Sequence, residues 1–369
     1  MTNRDLIGKI KHLIGTLNTD RTNYVASFAY GSVVFPQKDR TTSNSLVDLI
    51  IITHNPVEWH LKNLSDNPNH YNILLRSISK KYQSSCLEMF LSQTSGPKVY
   101  YNPFIEWNDP TDNTKLSFKY GVVGLKSILY DLSTWSHLYL AGRLQKPVLW
   151  IPNDSKLYSS EEHIEQLNIS QNKNLLASMS YAILQNYPKN FPLSEYDLFY
   201  TISSISYTGD WRMIIGEDRQ KIKRLVSGEN RLSEFRSLYK TTLHSLESYG
   251  FSFEQPLKSY PNKLELNRLV SFNVKSEIIP QLLTNIPDYV CLLSVKDVHI
   301  NNPIEAREFL SYLSPIERSQ RLYTTVSSIV RKSSLYQTGL GVISAGPQRS
   351  LKYAFAKLGK MFASFKSAK

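Results

Sequence analysis

The chain has little cysteine and no long apolar segment. Its two cysteines, Cys86 and Cys291, lie far apart in the 369 residues and show no metal-ligand spacing. This pattern argues against a disulfide scaffold and a cysteine zinc site, and it favours a reducing compartment. No apolar run approaches the roughly 18 residues that a membrane-spanning helix needs. We therefore predict a protein that is soluble or bound to a membrane surface.

Motifs of several common enzyme classes are also missing. The sequence has no Gly-x-Ser-x-Gly elbow, Walker A loop or His-Glu-x-x-His motif, which disfavours hydrolase and P-loop interpretations. It has no internal repeats and no low-complexity tracts. With 41% apolar and 20% charged residues the chain is typical of a folded protein, and its length allows two domains.

Acidic residues are missing from the C-terminal segment. Between Arg318 and Lys369 there are ten Lys or Arg and no Asp or Glu; because the whole chain carries +12, the remainder carries only +2. Apolar residues between 351 and 365 fall within an arc of roughly 120° on a helix, with lysines opposite. This predicts an interfacial helix on an anionic membrane, although a helix docked on its own protein would show the same stripe. The predicted membrane-binding residues are Lys352, Phe355, Lys357, Leu358, Lys360, Phe362 and Phe365.

The most informative pattern is a glycine turn followed by an acid-led strand. Residues 25–30 predict a strand that enters the turn Gly31-Ser32, and 47–53 predict a second strand with Asp48 at its mouth. Gly31 allows close backbone approach, while Ser32 and the N–H groups of a following helical turn suit a phosphate. A carboxylate beside a buried strand is costly unless it meets a cation or donors. The pattern suits a metal-bound triphosphate at Asp48, although Gly-Ser is also common in simple turns.

Other segments set the expected architecture. Asn55 with Pro56 predicts a capped helix start, and 98–105 with 116–123 predict antiparallel strands. The residues before position 22 fit a first helix better than a mitochondrial presequence. We expect a helix over 125–141 ended by Gly142, a linker between Pro147 and Pro152, and mostly helices from 160. Within 256–300, strand and helix both remain possible, and a β-wing would fit.

Several polar residues are candidates for the chemistry. Lys119, on a strand expected beside the Asp48 strand, is either an edge residue or a phosphate ligand. Arg143 and Lys146 follow a predicted helix end, where cations also serve as caps. The polar loop 206–212 holds Tyr207 and Asp210, and such loops often bind ligands, although a structural turn is the default.

A second metal-binding carboxylate is not evident. Residues i and i+2 of a strand share a face, and two residues after Asp48 stands Ile50. Three acids are alternative candidates: Asp131, Asp210 and Glu217. His60 and Asn63 fit no standard metal spacing, and we expect them to support a helix face through hydrogen bonds.

The ordered motifs resemble the mitochondrial translocator assembly and maintenance protein family, the CDP-diacylglycerol synthases of the mitochondrial matrix. The segments that carry the likeness are Tyr30-Gly31-Ser32, Asp48, Trp59-His60-x-x-Asn63, Lys119-Tyr120-Gly121, Ala141-Gly142-Arg143-Leu144-x-Lys146-Pro147, Ser206-Tyr207-x-Gly209-Asp210-x-Arg212 and Ala345-Gly346-Pro347. They run over nearly the whole chain in a fixed order. In the polymerase-β class a second acid would stand where this chain has Ile50, a departure that leaves the number of metal ions open.

The resemblance implies an α+β protein that uses CTP, phosphatidic acid and Mg²⁺ to make CDP-diacylglycerol for cardiolipin and phosphatidylglycerol synthesis. It implies a polymerase-β-like nucleotidyltransferase domain (1–155), a mostly helical, winged-helix-like domain (156–315) and a basic C-terminal region (316–369) with an amphipathic helix. The protein would lie peripherally on the matrix side of the mitochondrial inner membrane.

The resemblance also suggests roles for single residues. Gly31, Ser32 and Asp48 match the family's glycine-serine pair and acid one for one, whereas the other positions match only as motif members. The expected catalytic residues are Asp48, which would also bind the metal, Lys119 and Asp210; the expected nucleotide-binding residues are Gly31, Ser32, Arg143, Lys146 and Tyr207.

Two other functions remain as alternatives. A nucleotidyltransferase acting on RNA ends shares the Gly-Ser and Asp pattern, but its cations should line the cleft, so we expect no nucleic-acid partner. A non-catalytic membrane-associated assembly factor would need neither Asp48 nor Lys119. The oligomeric state is not indicated.

Overall fold

A computed structural model describes most of the chain up to Ala345. The described residues are 3–17, 21–31, 34, 46–92, 96–110, 112, 115–151, 161–187, 193–213, 220–227, 231–247 and 278–345. The predicted amphipathic helix after 345, the turn residue Ser32, the candidate acid Glu217 and the segment 256–277 all lie outside them. Among the described helices, none combines the length and the apolar character needed to span a bilayer.

The described part is an α+β structure with one sheet. Its strands are β1 (Tyr24–Tyr30), β2 (Val47–Thr53), β3 (Tyr100–Asn108), β4 (Lys115–Gly124) and β5 (Leu149–Ile151). The helices before residue 160 are α1 (Asn3–Leu17), α2 (Pro56–Asp66), α3 (Ile73–Ser77), α4 (Lys80–Ser92), α5 (Leu125–Thr134) and α6 (Leu140–Leu144). Those after it are α7 (Glu161–Asn186), α8 (Glu195–Ser204), α9 (Lys221–Ser227), α10 (Arg231–Glu247), α11 (Ile278–Asn285), α12 (Asp288–Ser294), α13 (Pro303–Tyr312) and α14 (Pro315–Ala345).

The sheet has the strand order β3-β4-β2-β1-β5. β1 runs antiparallel to both β2 and β5, β2 runs parallel to β4, and β4 runs antiparallel to β3. β2 is therefore a central strand, and its apolar residues from Leu49 to Ile52 are buried. Asp48 lies at the start of this strand and is half-buried.

The local predictions for the first half are largely confirmed. Both strands around the glycine turn are present, 98–105 and 116–123 correspond to the antiparallel pair β3 and β4, and α1 is a helix. The side chain of Asn55 accepts a hydrogen bond from the Glu58 backbone N–H at 3.2 Å, which caps α2 as the Asn-Pro start predicted.

Two predictions near residue 140 are wrong. The helix expected over 125–141 ends at Thr134, because Trp135 adopts a left-handed conformation (φ 57°) and its buried ring fills the core. Gly142 lies inside the short helix α6, where an added Cβ would be 2.4 Å from the Ser206 Cβ, so this glycine permits a close contact. The segment between Pro147 and Pro152, expected as a linker, contains β5, which extends the sheet beside β1.

The long elements described after residue 160 are all helices, as the apolar periodicity indicated. Within 256–300 the described part begins at 278 and forms α11, α12 and a 3-10 turn at Lys296–Val298, with no strand among these described residues. A continuous buried cluster joins β1 residues such as Phe28 to Leu175 of α7, Phe199 of α8 and Val326 of α14. α14 belongs to this core, and it also packs on β3; Gln337 donates to the carbonyl of Val99, the residue before β3, at 3.2 Å. The sheet and the helices thus enclose a cleft between them.

Candidate active site

The cleft begins where β1 ends and β2 starts. Tyr30, the last residue of β1, is paired with Asp48 across the antiparallel ladder. Gly31 follows with φ 93°, a conformation that side-chain-bearing residues rarely adopt, and an added Cβ would lie 3.1 Å from the Asp48 Oδ2. The carboxylate of Asp48 therefore sits directly against the glycine turn. The two features that the sequence brought out are in contact in space.

Lys119 faces the same cleft from the neighbouring strand. In the parallel ladder between β2 and β4, Lys119 is the register partner of Asp48. Its Nζ lies 4.1 Å from the centre of the Tyr101 ring, a cation–π distance that holds the ammonium in place. Lys119 lies on an interior strand of the sheet and lines the cleft. The expectation that its strand lies beside the Asp48 strand is confirmed.

Arg143 adds a second cation to the cleft. It lies on α6, and its guanidinium carbon is 4.2 Å from the centre of the Tyr30 ring. Burial disfavours its charge, but the nearby Tyr207, Tyr30 and Asp48 outweigh burial and raise the pKa of Arg143 above its ordinary value. Arg143 therefore remains a fixed positive charge near the Asp48 carboxylate.

The loop before α6 is held by Asp131, which is buried. Its two carboxylate oxygens accept hydrogen bonds of 2.9–3.1 Å from five backbone N–H groups, those of His137, Leu138, Tyr139, Leu140 and Ala141. This use of its oxygens argues against Asp131 as the second metal carboxylate. It instead fixes a wall of the cleft that includes His137, whose pKa is lowered mainly by burial.

The loop from 205 to 213 forms the opposite wall. Gly209 has φ 78°, and an added Cβ would be 2.3 Å from the Ser327 carbonyl oxygen of α14, so only glycine fits there. Asp210 is buried, and both of its oxygens accept from the Arg212 guanidinium at 2.7–3.1 Å. Asp210 thus lines the cleft with both of its carboxylate oxygens paired to Arg212. This geometry suits positioning of Arg212 better than metal binding.

Lys146 lies behind the cleft wall. Its Nζ donates to the Gly142 carbonyl and, at 2.8 Å, to the Ser206 Oγ. Burial, with the charges of Arg143 and Lys221 nearby, holds the pKa of Lys146 well below its ordinary value. The side chain is buried and connects α6 to the 205–213 loop. In this arrangement it supports the wall instead of presenting a charge to a nucleotide.

Tyr207 lies between two lysines. Its ring centre is 5.3 Å from the Lys146 Nζ and 5.2 Å from the Lys221 Nζ, and the residue lines the cleft. Sequence reasoning missed Lys221 on α9 and the α14 residues Ser333 and Ser334, which also line the cleft. Their positions depend on how distant helices pack, and no local motif marks them.

The donor set suits a single divalent ion that arrives with its phosphate ligands. Within the described ranges no group of three or more His, Cys, Asp or Glu side chains is placed to hold a metal ion. Asp48 offers its carboxylate in the cleft, whereas Asp131 and Asp210 are committed to backbone N–H groups and to Arg212. Mg²⁺ commonly uses one or two protein carboxylates and completes its shell with phosphate oxygens and water. Asp48 with a bound triphosphate fits that pattern.

The expected role of His60 and Asn63 is confirmed. Both side chains hydrogen-bond to the Tyr71 hydroxyl at 2.9 Å, and Asn63 also donates to the Tyr120 hydroxyl at 2.7 Å. Burial lowers the pKa of His60 to about 3, so the ring is neutral at physiological pH. This network links α2 to β4, the strand that carries Lys119.

Comparison with known proteins identifies the family. A family model described as "Phosphatidate cytidylyltransferase, mitochondrial" matches residues 11–360. The chain belongs to this family. Three curated relatives with the same description illustrate the likeness. The Mus musculus protein is 31% identical over 338 residues, which cover 91% of this chain and 90% of the relative. The Rattus norvegicus protein is 32% identical over 346 residues, with the same coverage of both chains. The Schizosaccharomyces pombe protein is 29% identical over 336 residues, which cover 90% of this chain and 78% of the relative.

Membership of the phosphatidate cytidylyltransferase family confirms the resemblance drawn from the motifs. Of the residues that those motifs contributed, Gly31, Asp48, Lys119, Arg143 and Tyr207 lie together at the cleft. Asp210 joins them as an ion-paired residue, and Lys146 stands behind them. Ser32 and the predicted membrane-binding residues lie outside the described part of the chain.

Proposed function

We propose that this protein is a phosphatidate cytidylyltransferase that converts CTP and phosphatidic acid into CDP-diacylglycerol and pyrophosphate. The observation that carries the proposal is the meeting of Asp48, Lys119 and Arg143 at one cleft beside the Gly31 turn, in a chain of this family. The finer architecture that we propose is a polymerase-β-like nucleotidyltransferase domain with a winged-helix-like second domain.

The reaction forms a bond between a phosphatidate oxygen and the α-phosphorus of CTP. The bond from that phosphorus to the oxygen that bridges to the β-phosphate breaks, and its electron pair leaves with pyrophosphate. The phosphomonoester of phosphatidate has a second pKa of about 6, so near pH 7 it is already largely ionised and needs no strong base. Catalysis then depends on positioning and on charge stabilisation.

The chain's cations provide that stabilisation. Lys119, on a rigid strand and held over Tyr101, is placed to donate to the triphosphate. Arg143 presents a planar set of N–H donors whose geometry suits phosphate oxygens. Gly31 has no side chain, so the turn allows the phosphates to approach the backbone closely. An added Cβ would also crowd Asp48. Preorganised donors of this kind lower the barrier because they need no rearrangement as charge moves to the leaving group.

Mg²⁺ is the proposed cofactor, held by Asp48. When bound, it would neutralise phosphate charge and polarise the phosphorus for attack. Asp210 would act through Arg212, whose Nε and Nη2 donate to its Oδ1 and Oδ2 in a bidentate pair at the cleft. Lys146 would keep α6 and the 205–213 loop at a fixed separation through Ser206.

The lipid substrate also requires access to a membrane. We propose peripheral binding to the matrix side of the mitochondrial inner membrane through the basic amphipathic segment that follows Ala345, with the product entering cardiolipin and phosphatidylglycerol synthesis. The segment 318–369 carries ten cations and no acid, a composition suited to an anionic bilayer.

The decisive test is turnover by the purified chain. Protein with CTP, Mg²⁺ and phosphatidate in detergent micelles should form CDP-diacylglycerol and pyrophosphate in equal amounts, and omission of phosphatidate should stop pyrophosphate release. ATP, GTP and UTP in place of CTP measure the base preference. Absence of product from folded protein, with a related mitochondrial enzyme active in the same assay, would refute the proposal.

A further inference from the structure

A small apolar and basic surface lies at the far end of α14 from the 205–213 loop. The short helix α3 exposes Ile73 and Leu74, which are 69% and 67% accessible, while the next residue, Leu75, is buried. Leu75 packs in a cluster with Tyr71 and Leu87, which anchors the helix. The packing of Leu75 therefore keeps the exposed pair, Ile73 and Leu74, on the outside of the protein. Two adjacent aliphatic side chains this accessible indicate a contact surface more strongly than scattered ones do.

The chain segment around this pair carries only positive charges. From residue 67 to residue 87 the sequence contains no Asp or Glu, and it contains Arg76, Lys80 and Lys81, all exposed. Tyr82, at the start of α4, is also exposed. We call Ile73, Leu74, Arg76, Lys80 and Lys81 the α3 tip. Aliphatic residues surrounded by cations suit a membrane surface with anionic lipids, where both kinds of side chain find a partner.

The α3 tip is fixed relative to the cleft. Asn72 caps α3 through its Oδ1, which accepts from the Leu75 N–H at 2.7 Å, and its Nδ2 donates to the Ser344 carbonyl of α14 at 3.2 Å. Ser333 and Ser334 of the same helix line the cleft. From Ser334 to Ser344 the helix rises by about 15 Å. A bilayer that touches the α3 tip would therefore lie within reach of the cleft.

We propose that the α3 tip is a second membrane-contacting element, which binds the anionic bilayer that holds phosphatidate and orients the cleft towards it. The inference rests on the proposed function, since it assumes a lipid substrate. Another possible occupant is the apolar side of the chain's own segment after Ala345. That segment carries six Lys or Arg and no Asp or Glu, so docking on the α3 tip would join two positively charged surfaces. Like charges disfavour that contact, whereas one anionic surface satisfies both segments.

The first test compares two pairs of exposed aliphatic residues. The full-length Ile73→Ser/Leu74→Ser variant is set beside Ile304→Ser/Ile316→Ser, whose residues are 73% and 80% accessible and precede Glu305 and Glu317 in the sequence. Binding is measured by flotation with phosphatidylcholine vesicles that contain phosphatidate. The α3 variant should bind about tenfold more weakly, and the control should bind as the wild type does. Equal binding by all three proteins would overturn the proposal.

The cations are tested separately. Replacing Arg76, Lys80 or Lys81 by Gln should weaken vesicle binding by about fivefold for each residue at low salt. High salt should reduce these differences because the charges are exposed. Unchanged affinity in a variant with all three residues replaced by Gln would contradict the electrostatic part of the inference. Melting temperatures close to that of the wild type exclude unfolding as the cause of any loss.

Direct insertion is read from a tryptophan placed at the tip. In Leu74→Trp the additional emission should be quenched by vesicles with brominated phosphatidylcholine chains, while Ile316→Trp should show no additional quenching. If the chain's own C-terminal segment covers the tip, the emission of the introduced tryptophan in Leu74→Trp would be blue-shifted before vesicles are added, and brominated lipid would not quench it. That outcome would overturn the proposal in favour of intramolecular docking.

Rates separate a failure of this inference from a failure of the proposed function. The Ile73→Ser/Leu74→Ser variant should keep the wild-type rate on phosphatidate in detergent micelles and lose about tenfold on phosphatidate in vesicles at low lipid. If the wild type makes no product in either form, the proposed function fails. If the variant has the wild-type rate on phosphatidate in micelles and in vesicles, the enzyme assignment stands and the α3 tip is not a membrane contact.

Discussion

Replacing Gly31 by alanine tests the glycine turn at its closest contact. The residue has φ 93°, and the new methyl group would stand 3.1 Å from the Asp48 Oδ2. Ordinary contacts of a Cβ begin at 3.4 Å, so the carboxylate would have to move by a few tenths of an ångström. The substitution therefore displaces the proposed metal ligand without removing it.

We expect Gly31→Ala to lower both the stability of the protein and its turnover. Alanine at positive φ is disfavoured by about 1–2 kcal/mol, which would lower the free energy of unfolding by at most that amount. Displacement of a positioned catalytic group costs more in rate, because a shift of about 1 Å can reduce turnover about 10²-fold. We expect Gly31→Ala to lower turnover on micellar phosphatidate by at least tenfold and the melting temperature by only a few degrees.

The matched control is Gly8→Ala on α1, where an added Cβ meets no atom within 4 Å. Alanine in a helix should raise the free energy of unfolding by about 0.5–1 kcal/mol and leave turnover unchanged. CDP-diacylglycerol formation and thermal unfolding are measured on the same preparations. Wild-type turnover in a folded Gly31→Ala protein would refute the assigned contact between the turn and Asp48.

Further substitutions test the other groups. Asp48→Asn should lower turnover by at least about 10²-fold at unchanged melting temperature, and near-normal rates would reject it as the metal ligand. Lys119→Ala should cost about 3 kcal/mol in the barrier, about 10²-fold in rate, whereas Lys126→Ala, exposed on α5, should cost nothing. Lys146 has a depressed pKa, so the folded state binds fewer protons than the unfolded state between that pKa and about 10.5. Wild-type stability should thus rise with pH in this window by up to about 1.4 kcal/mol per unit relative to Lys146→Met, and parallel pH profiles would mean a charged Lys146. Deletion of 348–369 should strongly weaken binding to phosphatidate vesicles and spare the micellar rate, and vesicle binding as tight as that of the wild type would contradict the proposed membrane segment.

Local patterns predicted the strands and the helix start because each depends on a few neighbouring residues. β2 has only apolar residues between Asp48 and Thr53, and Asn55 before Pro56 leaves little choice of conformation. The helix over 125–141 was wrong for a reason outside that window. Its apolar period continues past Thr134, but the buried ring of Trp135 and the five N–H bonds to Asp131 stabilise a break. The spacing of apolar residues does not show that a carboxylate on α5, that of Asp131, will accept hydrogen bonds from the loop that follows the helix.

The same limit separates the residues of the site that could be predicted from those that could not. Asp48 and Lys119 belong to strands whose pairing follows from the sheet, so their meeting could be anticipated. Lys146 follows Arg143 by three residues and looks like a second phosphate ligand, yet its amino group donates to Gly142 and Ser206 in the interior. That difference is set by the packing of α6 against the 205–213 loop, which the sequence does not display.

The cleft's charge balance favours a phosphate nucleophile over a hydroxyl group. A hydroxyl would have to lose a proton during attack, and that task calls for a base near the α-phosphorus. In the described cleft both oxygens of Asp210 accept from Arg212, and Asp48 is the proposed metal ligand, which leaves His137 as the candidate base. An ionised phosphomonoester arrives already deprotonated but carries two negative charges towards a triphosphate, so repulsion is its main obstacle. Lys119 and Arg143, held over Tyr101 and Tyr30 respectively, address that obstacle directly. A site built this way should tolerate the loss of His137 better than the loss of either cation, which a comparison of His137→Gln with Arg143→Gln in the micellar assay would decide.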